Sequence, residues 1–197
     1  MEKEKSLTKY KSVDLMIWTL MLGVFETLIV KAGSSWFKDQ PYILSLVPAL
    51  SVIIYMRWSL YGVLYAALGG LFTSFAFSAG WEQTAVYVIG NMLSVLVYPF
   101  LKAVGKERVR QSFLLSASSA VLTALLMQTG RGLVSLVMGS GFPAMVDFIT
   151  TDALSGVFAV IITGIVRRRD GVFEDQITYL VRVKREEEEK KNEGHSF

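Results

Sequence analysis

Asp147 and Asp152 stand inside the run VDFITTDALSGVFAVIITGIV (Val146–Val166), which is otherwise almost wholly apolar and is closed by Arg167–Arg169. A carboxylate inside a bilayer costs on the order of 2.5–3.5 kcal/mol on insertion scales, so both acids need a task. Two carboxylates can share a proton as an acid–base dyad. Five residues apart on one helix, however, these two point about 140° away from each other, which does not make a dyad. Other catalytic constellations are missing from the chain. It has no cysteine, and its single histidine, His195, lies in a charged tail. MGSGF around Ser140 lacks the spacing of a nucleophile elbow. VGKER around Lys106 has a Gly-Lys pair without the rest of a phosphate-binding loop. The expectation is therefore a protein that is not an enzyme, hydrolyses no nucleotide and carries no cofactor or metal.

The remaining polar residues within apolar runs are Glu26, Lys31, Asn91, Gln128, Arg131, Thr150 and Thr151, with Tyr87 one turn before Asn91. Counted from the ends of the runs at about 1.5 Å per residue, most fall in one half of the membrane thickness, and the other half reads as almost purely apolar. That distribution suits a pocket open to one side and closed below. It also suits internal ion pairing, such as Arg131 with Asp147 or Asp152, because charges inside membranes pair.

The elements that must position these residues are membrane helices. The 197-residue chain is 52% hydrophobic and 19% charged, with a mean hydropathy of +0.44. Most of the charge is confined to the two ends and a few short loops. A spanning helix needs about 20 mostly apolar residues. The runs read as six: about 13–33, 42–56, 59–79, 83–104, 110–138 and 144–166. Helix 2 is short and Pro48 is a candidate kink. TGRG (Thr129–Gly132) is expected to break helix 5 after Gln128, leaving an irregular outer segment. The first run is too long for a signal peptide and lacks a cleavage site, so it is expected to stay.

Charge placement orients the bundle. Lys3, Lys5, Lys9, Lys11, Arg57, Lys102, Lys106, Arg108, Arg110 and Arg167–Arg169 fall on one side. Lys38 falls on the other, with Lys31 and Arg131 near its boundary. Positive residues mark the cytoplasmic side, so the reading is an all-α membrane protein with six transmembrane helices and both termini cytoplasmic. Residues 1–12 form a cytoplasmic tail, 13–169 the membrane domain, and 170–197 a charged tail with an amphipathic helix from about Phe173 to Lys191. The sequence pI near 9.1 reflects this asymmetry rather than a nucleic-acid partner. Trp36 and Trp81 lie in outer loops, as interfacial anchors, as ligand contacts, or as both. Small residues recur at four-residue spacing: Thr19, Gly23 and Thr27; Gly62, Ala66 and Gly70; and Asp152 and Gly156, with Ala159 and Thr163 one turn on. Such stripes let helices approach closely in lipid. On helix 1 the stripe reads either as internal packing or as a seat for another membrane subunit.

RWSLYGVLYAALGGLFTSF (Arg57–Phe75) and DALSG (Asp152–Gly156), in this order of helices, resemble the substrate-binding S-components of energy-coupling factor (ECF) transporters, thiamine-type members above all. The resemblance implies a subunit of the bacterial cell membrane that captures a vitamin-like small polar molecule from outside. It implies as partners a transmembrane coupling subunit and two cytosolic ATPases. It places Asp152 where the family has a ligand-contacting Asn, Trp36 in the gating loop, Asn91 or Gly90 at the helix 4 position and Arg131 in the helix 5 region. Trp81, Tyr87, Gln128, Asp147 and Thr151 complete the expected substrate-binding set, and Thr19, Gly23 and Thr27 the expected docking stripe. Thr19-x-x-x-Gly23 stands where many members carry Ala-x-x-x-Ala. An autonomous six-helix transporter or channel and an intramembrane enzyme are the competing readings.

Overall fold

The computed structural model describes residues 2–36 and 43–194, which are helical nearly throughout. Lys38, the expected helix 2 start at Tyr42, and His195 lie outside the described residues. The helices are α1 (Glu2–Trp36), α2 (Val47–Trp58), α3 (Tyr61–Ala76), α4 (Trp81–Met92), α5 (Val97–Val104), α6 (Lys106–Gln111), α7 (Phe113–Val137), α8 (Phe142–Thr151), α9 (Ala153–Val166) and α10 (Gln176–Gly194). Leu7–Trp36, Trp81–Val104 and Phe113–Val137 are long and apolar enough to cross a membrane, and the bent pair Met145–Thr151 with Ala153–Val166 makes a fourth span if counted as one. Bulky side chains on α1, among them Met16, Ile17, Leu20, Val24, Phe25 and Leu28, face outward. An apolar face of this extent is compatible with lipid rather than water around the bundle.

The centre of the bundle is α2, all twelve of whose residues are buried. A helix that is apolar all round belongs inside a protein, and at 12 residues it is shorter than the expected run. Pro48 does not kink it. It occupies the first turn, where the missing N–H is one of the helix's orphans anyway. Glycines of α3 let the neighbouring helices close in. A Cβ on Gly62 would strike the Tyr55 ring of α2, and one on Gly70 would lie 2.5 Å from the Tyr87 carbonyl oxygen of α4. The α4–α5 span passes through a 3-10 turn, Leu93–Leu96. Pro99 lies four residues after Val95 and cannot donate to its carbonyl, which accounts for the irregularity.

Three expectations are corrected here. TGRG does not break helix 5, because α7 runs unbroken to Val137 and its glycines serve close packing instead. Helix 5, read from about Arg110, starts at Phe113, where Ser112 ends α6 and caps α7, its hydroxyl accepting from the Leu115 N–H. The break falls in helix 6, where α8 and α9 meet at Asp152 with a 43° bend. The half expected to be purely apolar also carries buried hydroxyls. Thr123 donates to the Ser119 carbonyl and Thr163 to that of Ala159, so each is satisfied on its own helix.

The tail is anchored at the basic end of the bundle. Phe173, expected to open the amphipathic helix, instead precedes α10 and is fully buried. Arg57 pairs with Asp14 at 2.5 Å and donates to the carbonyls of Gly171 and Val172, while the Trp58 indole donates to Asp14 at 2.6 Å. Lys106 pairs with Asp175, and Arg110 with Glu174. Burial works against the Glu107 carboxylate, but hydrogen bonds from Arg110 and Gln111 prevail and hold its pKa below the ordinary glutamate value. That contribution is present above the unfolded pKa of about 4.3 and is lost as the pH falls through the lower folded value.

Arg57→Ala leaves Asp14 without its cation and the Val172 carbonyl without a donor, and leaves the Gly171 carbonyl with the Gln176 amide alone. Amide exchange in residues 171–176 is expected to accelerate at least about tenfold, matching a loss of roughly 1.5–3 kcal/mol for charged hydrogen bonds, while exchange in α7 stays unchanged. Hydrogen-exchange mass spectrometry reads both regions in one experiment.

Candidate functional site

The site begins at a backbone crossing. A Cβ on Gly130 of α7 would overlap the Gly90 carbonyl oxygen of α4, and one on Gly90 would lie 2.5 Å from the Arg131 Cα. Glycine at both positions brings the two main chains into direct contact, as small residues do between membrane helices. Arg131 and Asn91, each one residue along, then meet: the Arg131 Nε donates to the Asn91 Oδ1 at 2.7 Å. The Asn91 amide is itself fixed by donation to the Ala66 carbonyl of α3 at 3.0 Å.

Arg131 reaches across to the break. Its Nη1 pairs with the Asp152 Oδ2 at 2.5 Å, and both side chains are buried, at 0% and 1% exposure. The guanidinium carbon lies 4.7 Å from the Tyr87 ring centroid, a cation–π contact that strengthens when desolvated. Tyr87 is held in turn by the Phe148 ring of α8, edge-on at 6.1 Å. The Arg131 Nη2 is buried and meets no acceptor.

Breaking a helix in lipid frees carbonyls that need new donors. Here the Thr151 carbonyl accepts from the Ile43 N–H at 3.0 Å. The Asp152 carbonyl accepts from the Gln128 Nε2 at 3.0 Å and from the Ser155 N–H at 3.1 Å. Asp152 stands at the N-cap position of α9 without capping an N–H of its own helix. Its carboxylate takes Arg131 and the Ser155 hydroxyl instead, while its charge lies at the favourable end of the α9 dipole.

Ser155 extends the network toward α1. Its hydroxyl oxygen accepts from the Ser45 N–H at 2.9 Å. The Ser45 hydroxyl donates to Glu26 at 2.7 Å, as do the Leu46 N–H at 2.7 Å and the Thr73 hydroxyl at 2.6 Å. Glu26 of α1 thus caps α2 from a neighbouring helix, which explains this buried acid. Asn91, Arg131, Asp152, Ser155, Ser45, Glu26 and Thr73 form one chain of contacts through six segments. It joins the helices to one another.

Of the residues expected in the site, Tyr87, Asn91, Gln128, Arg131 and Asp152 come together and are buried. Asp147 does not join them. It is exposed, and Arg131 pairs with Asp152 instead. Thr151 is half-buried and spends its hydroxyl on the Asp147 carbonyl at 2.6 Å. Trp36 and Trp81 stand 74% and 75% exposed rather than packed over the charges. The helix 1 stripe turns inward: Thr19 hydrogen-bonds the Tyr65 hydroxyl of α3 at 3.0 Å, and a Cβ on Gly23 would lie 3.1 Å from the Phe72 ring. The half-buried Thr27 donates to the Gly23 carbonyl at 2.7 Å. Two of the stripe positions, Thr19 and Gly23, thus contact α3, and the outward face of α1 is bulky. Ser45, Ser155, Thr73 and the capping role of Glu26 went unassigned from sequence. The one available signal was a glutamate in an apolar run with no basic residue at helical spacing before Lys31.

Gly130→Ala forces its methyl against main chain that cannot yield, as overpacking does at about 1–3 kcal/mol. At roughly 2–4 °C per kcal/mol for a chain of this size, the melting temperature in detergent is expected to fall by several degrees. Gly80→Ala, where a Cβ meets nothing within 4 Å, is expected to change it little.

Comparison with known proteins leaves the functional reading to rest on this geometry: no family model, no curated protein and no solved structure matches the chain.

Proposed function

We propose that this chain is the substrate-binding membrane subunit of an ECF-type importer, an S-component with six spans and both termini on the cytoplasmic side of a bacterial cell membrane. It captures a small polar, vitamin-like nutrient from outside. A transmembrane coupling subunit and two cytosolic ATPases then drive uptake.

The observation that carries the reading is a broken apolar helix with a buried charge pair at its break. Transporters place substrate sites at discontinuous helices, because the ends of half-helices offer unpaired backbone groups and oriented dipoles. Here the Arg131 Nη2 still lacks an acceptor, beside a carboxylate and an aromatic ring. A ligand that presents a carboxylate or carbonyl oxygen to Nη2 and an apolar ring to Tyr87 uses each of these groups. With both charges buried, entry requires the helices around the break to part. Thr123 and Thr163 are satisfied on their own helices, and the polar chain links one helix to the next. This favours capture over passage through a continuous polar path, and so favours a binding subunit over a self-sufficient channel.

Native mass spectrometry of the purified chain identifies the small molecule it retains, and uptake of that molecule then tests the function. Cells expressing the chain alone are expected to bind it without concentrating it, and accumulation is expected only with the coupling subunit and ATPases. Concentrative uptake by the chain alone would overturn the proposal in favour of an autonomous transporter.

A further inference from the structure

A groove of about 400 Å³ lies on the outer flank of the bundle between α7 and the α8–α9 break. Its walls are apolar side chains, among them Val121, Leu125, Val157 and Val160, and its polar member is Gln128. Gly156 gives it depth: a Cβ there would lie 3.6 Å from that of Ala124, an ordinary contact, so the position has room for a side chain it does not carry. We propose that this groove is a binding site for a lipophilic small molecule with a single neutral hydrogen-bond donor, an alcohol-headed hydrocarbon in its simplest form. The proposal does not depend on the transport reading.

Size and shape select a small molecule. The volume falls within the range of small-ligand sites. Along α7 the groove covers seven residue steps, Val121 to Gln128, about 10 Å at 1.5 Å per residue, and on the other side it runs from Ile149 across the break to Val160. A partner helix crossing the membrane would need a seam about three times as long.

Gln128 selects the chemistry. Its Nε2 is committed to the Asp152 carbonyl at 3.0 Å, which fixes the orientation of the amide, because a flip would set oxygen against oxygen. The Oε1 is left buried without a donor in a side chain only 2% exposed. An unpaired amide oxygen in hydrocarbon is costly, and the acyl chain of a lipid offers it nothing. A hydroxyl or amide N–H satisfies it. A carboxylate is repelled by the same oxygen, and an ammonium would enter an apolar wall with its charge unpaired.

The test uses the full chain in nanodiscs and a diazirine analogue of 1-decanol as photoprobe, with labelled peptides mapped by mass spectrometry. Saturable labelling is expected in 121–128 and 153–160. 1-Decanol should compete about three- to tenfold better than decyl methyl ether, which has the same chain and no donor. Gln128→Met keeps the volume and removes the acceptor, and is expected to abolish that preference. Gly156→Leu is expected to fill the groove and abolish the labelling. Labelling that does not saturate or spreads evenly over the lipid-facing helices overturns the proposal, as does equal competition by alcohol and ether on the wild-type chain.

Discussion

A guanidinium and a carboxylate, both shut off from water, meet at the middle of this bundle, and the arrangement of four elements follows from their contact. A lone charge in that position costs several kcal/mol, so neither Arg131 nor Asp152 is tolerated without the other. Their pairing at 2.5 Å ties α7 to the junction of α8 and α9, and Asn91 brings in α4. The pair also explains why the last span is not a straight helix. A straight helix would keep its own carbonyls, whereas here those of Thr151 and Asp152 turn to Ile43, Gln128 and Ser155. The fault in the helix is thus tied to its neighbours through the Thr151 and Asp152 carbonyls and the Asp152 carboxylate.

Close approach and polar satisfaction depend on one another. Without glycine at 90 and 130 the main chains of α4 and α7 could not touch, and the Arg131 Nε would not reach Asn91. Without Glu26, the Leu46 N–H and the Ser45 hydroxyl would lose their acceptor in an apolar interior, each at a cost of about 1–3 kcal/mol, while Thr73 would keep the Gly69 carbonyl. The two sets of contacts meet at Ser155, so the acids of α1 and of the break belong to one structure. At the opposite end, Arg57 does for the tail what Arg131 does for the break, gathering a carboxylate and two backbone carbonyls around one guanidinium.

Sequence made the helices legible and their interruptions illegible. Long apolar runs are read from hydropathy alone, and α1, α4–α5 and α7 appear where such runs stand. Breaks depend on which backbone groups find other partners, and that is a tertiary property. Thr129–Gly132 has the composition of a break, yet glycine costs a helix only about 1 kcal/mol, and the contact at Gly90 outweighs it. Asp152 has no breaker chemistry, yet the chain bends there because Arg131, Gln128 and Ile43 supply what the helix gives up. The same holds within the site. Polar residues in apolar runs pointed to Arg131, Asp152, Asn91, Gln128 and Tyr87, since each must answer for its burial. Which of Asp147 and Asp152 faces inward depended on the rotation of the helix, and Ser45 and Ser155 carry no signal that separates them from ordinary small residues.

The central claim is that Arg131 and Asp152 act as one unit, and a double-mutant cycle on unfolding free energy tests it directly. Arg131→Met and Asp152→Asn are each expected to destabilise the chain by about 3–5 kcal/mol, as removal of one partner from a buried pair does. The double variant should lose less than the sum of the two, with a coupling of at least about 1–3 kcal/mol. Additive losses, or single variants as stable as the wild type, would contradict the account.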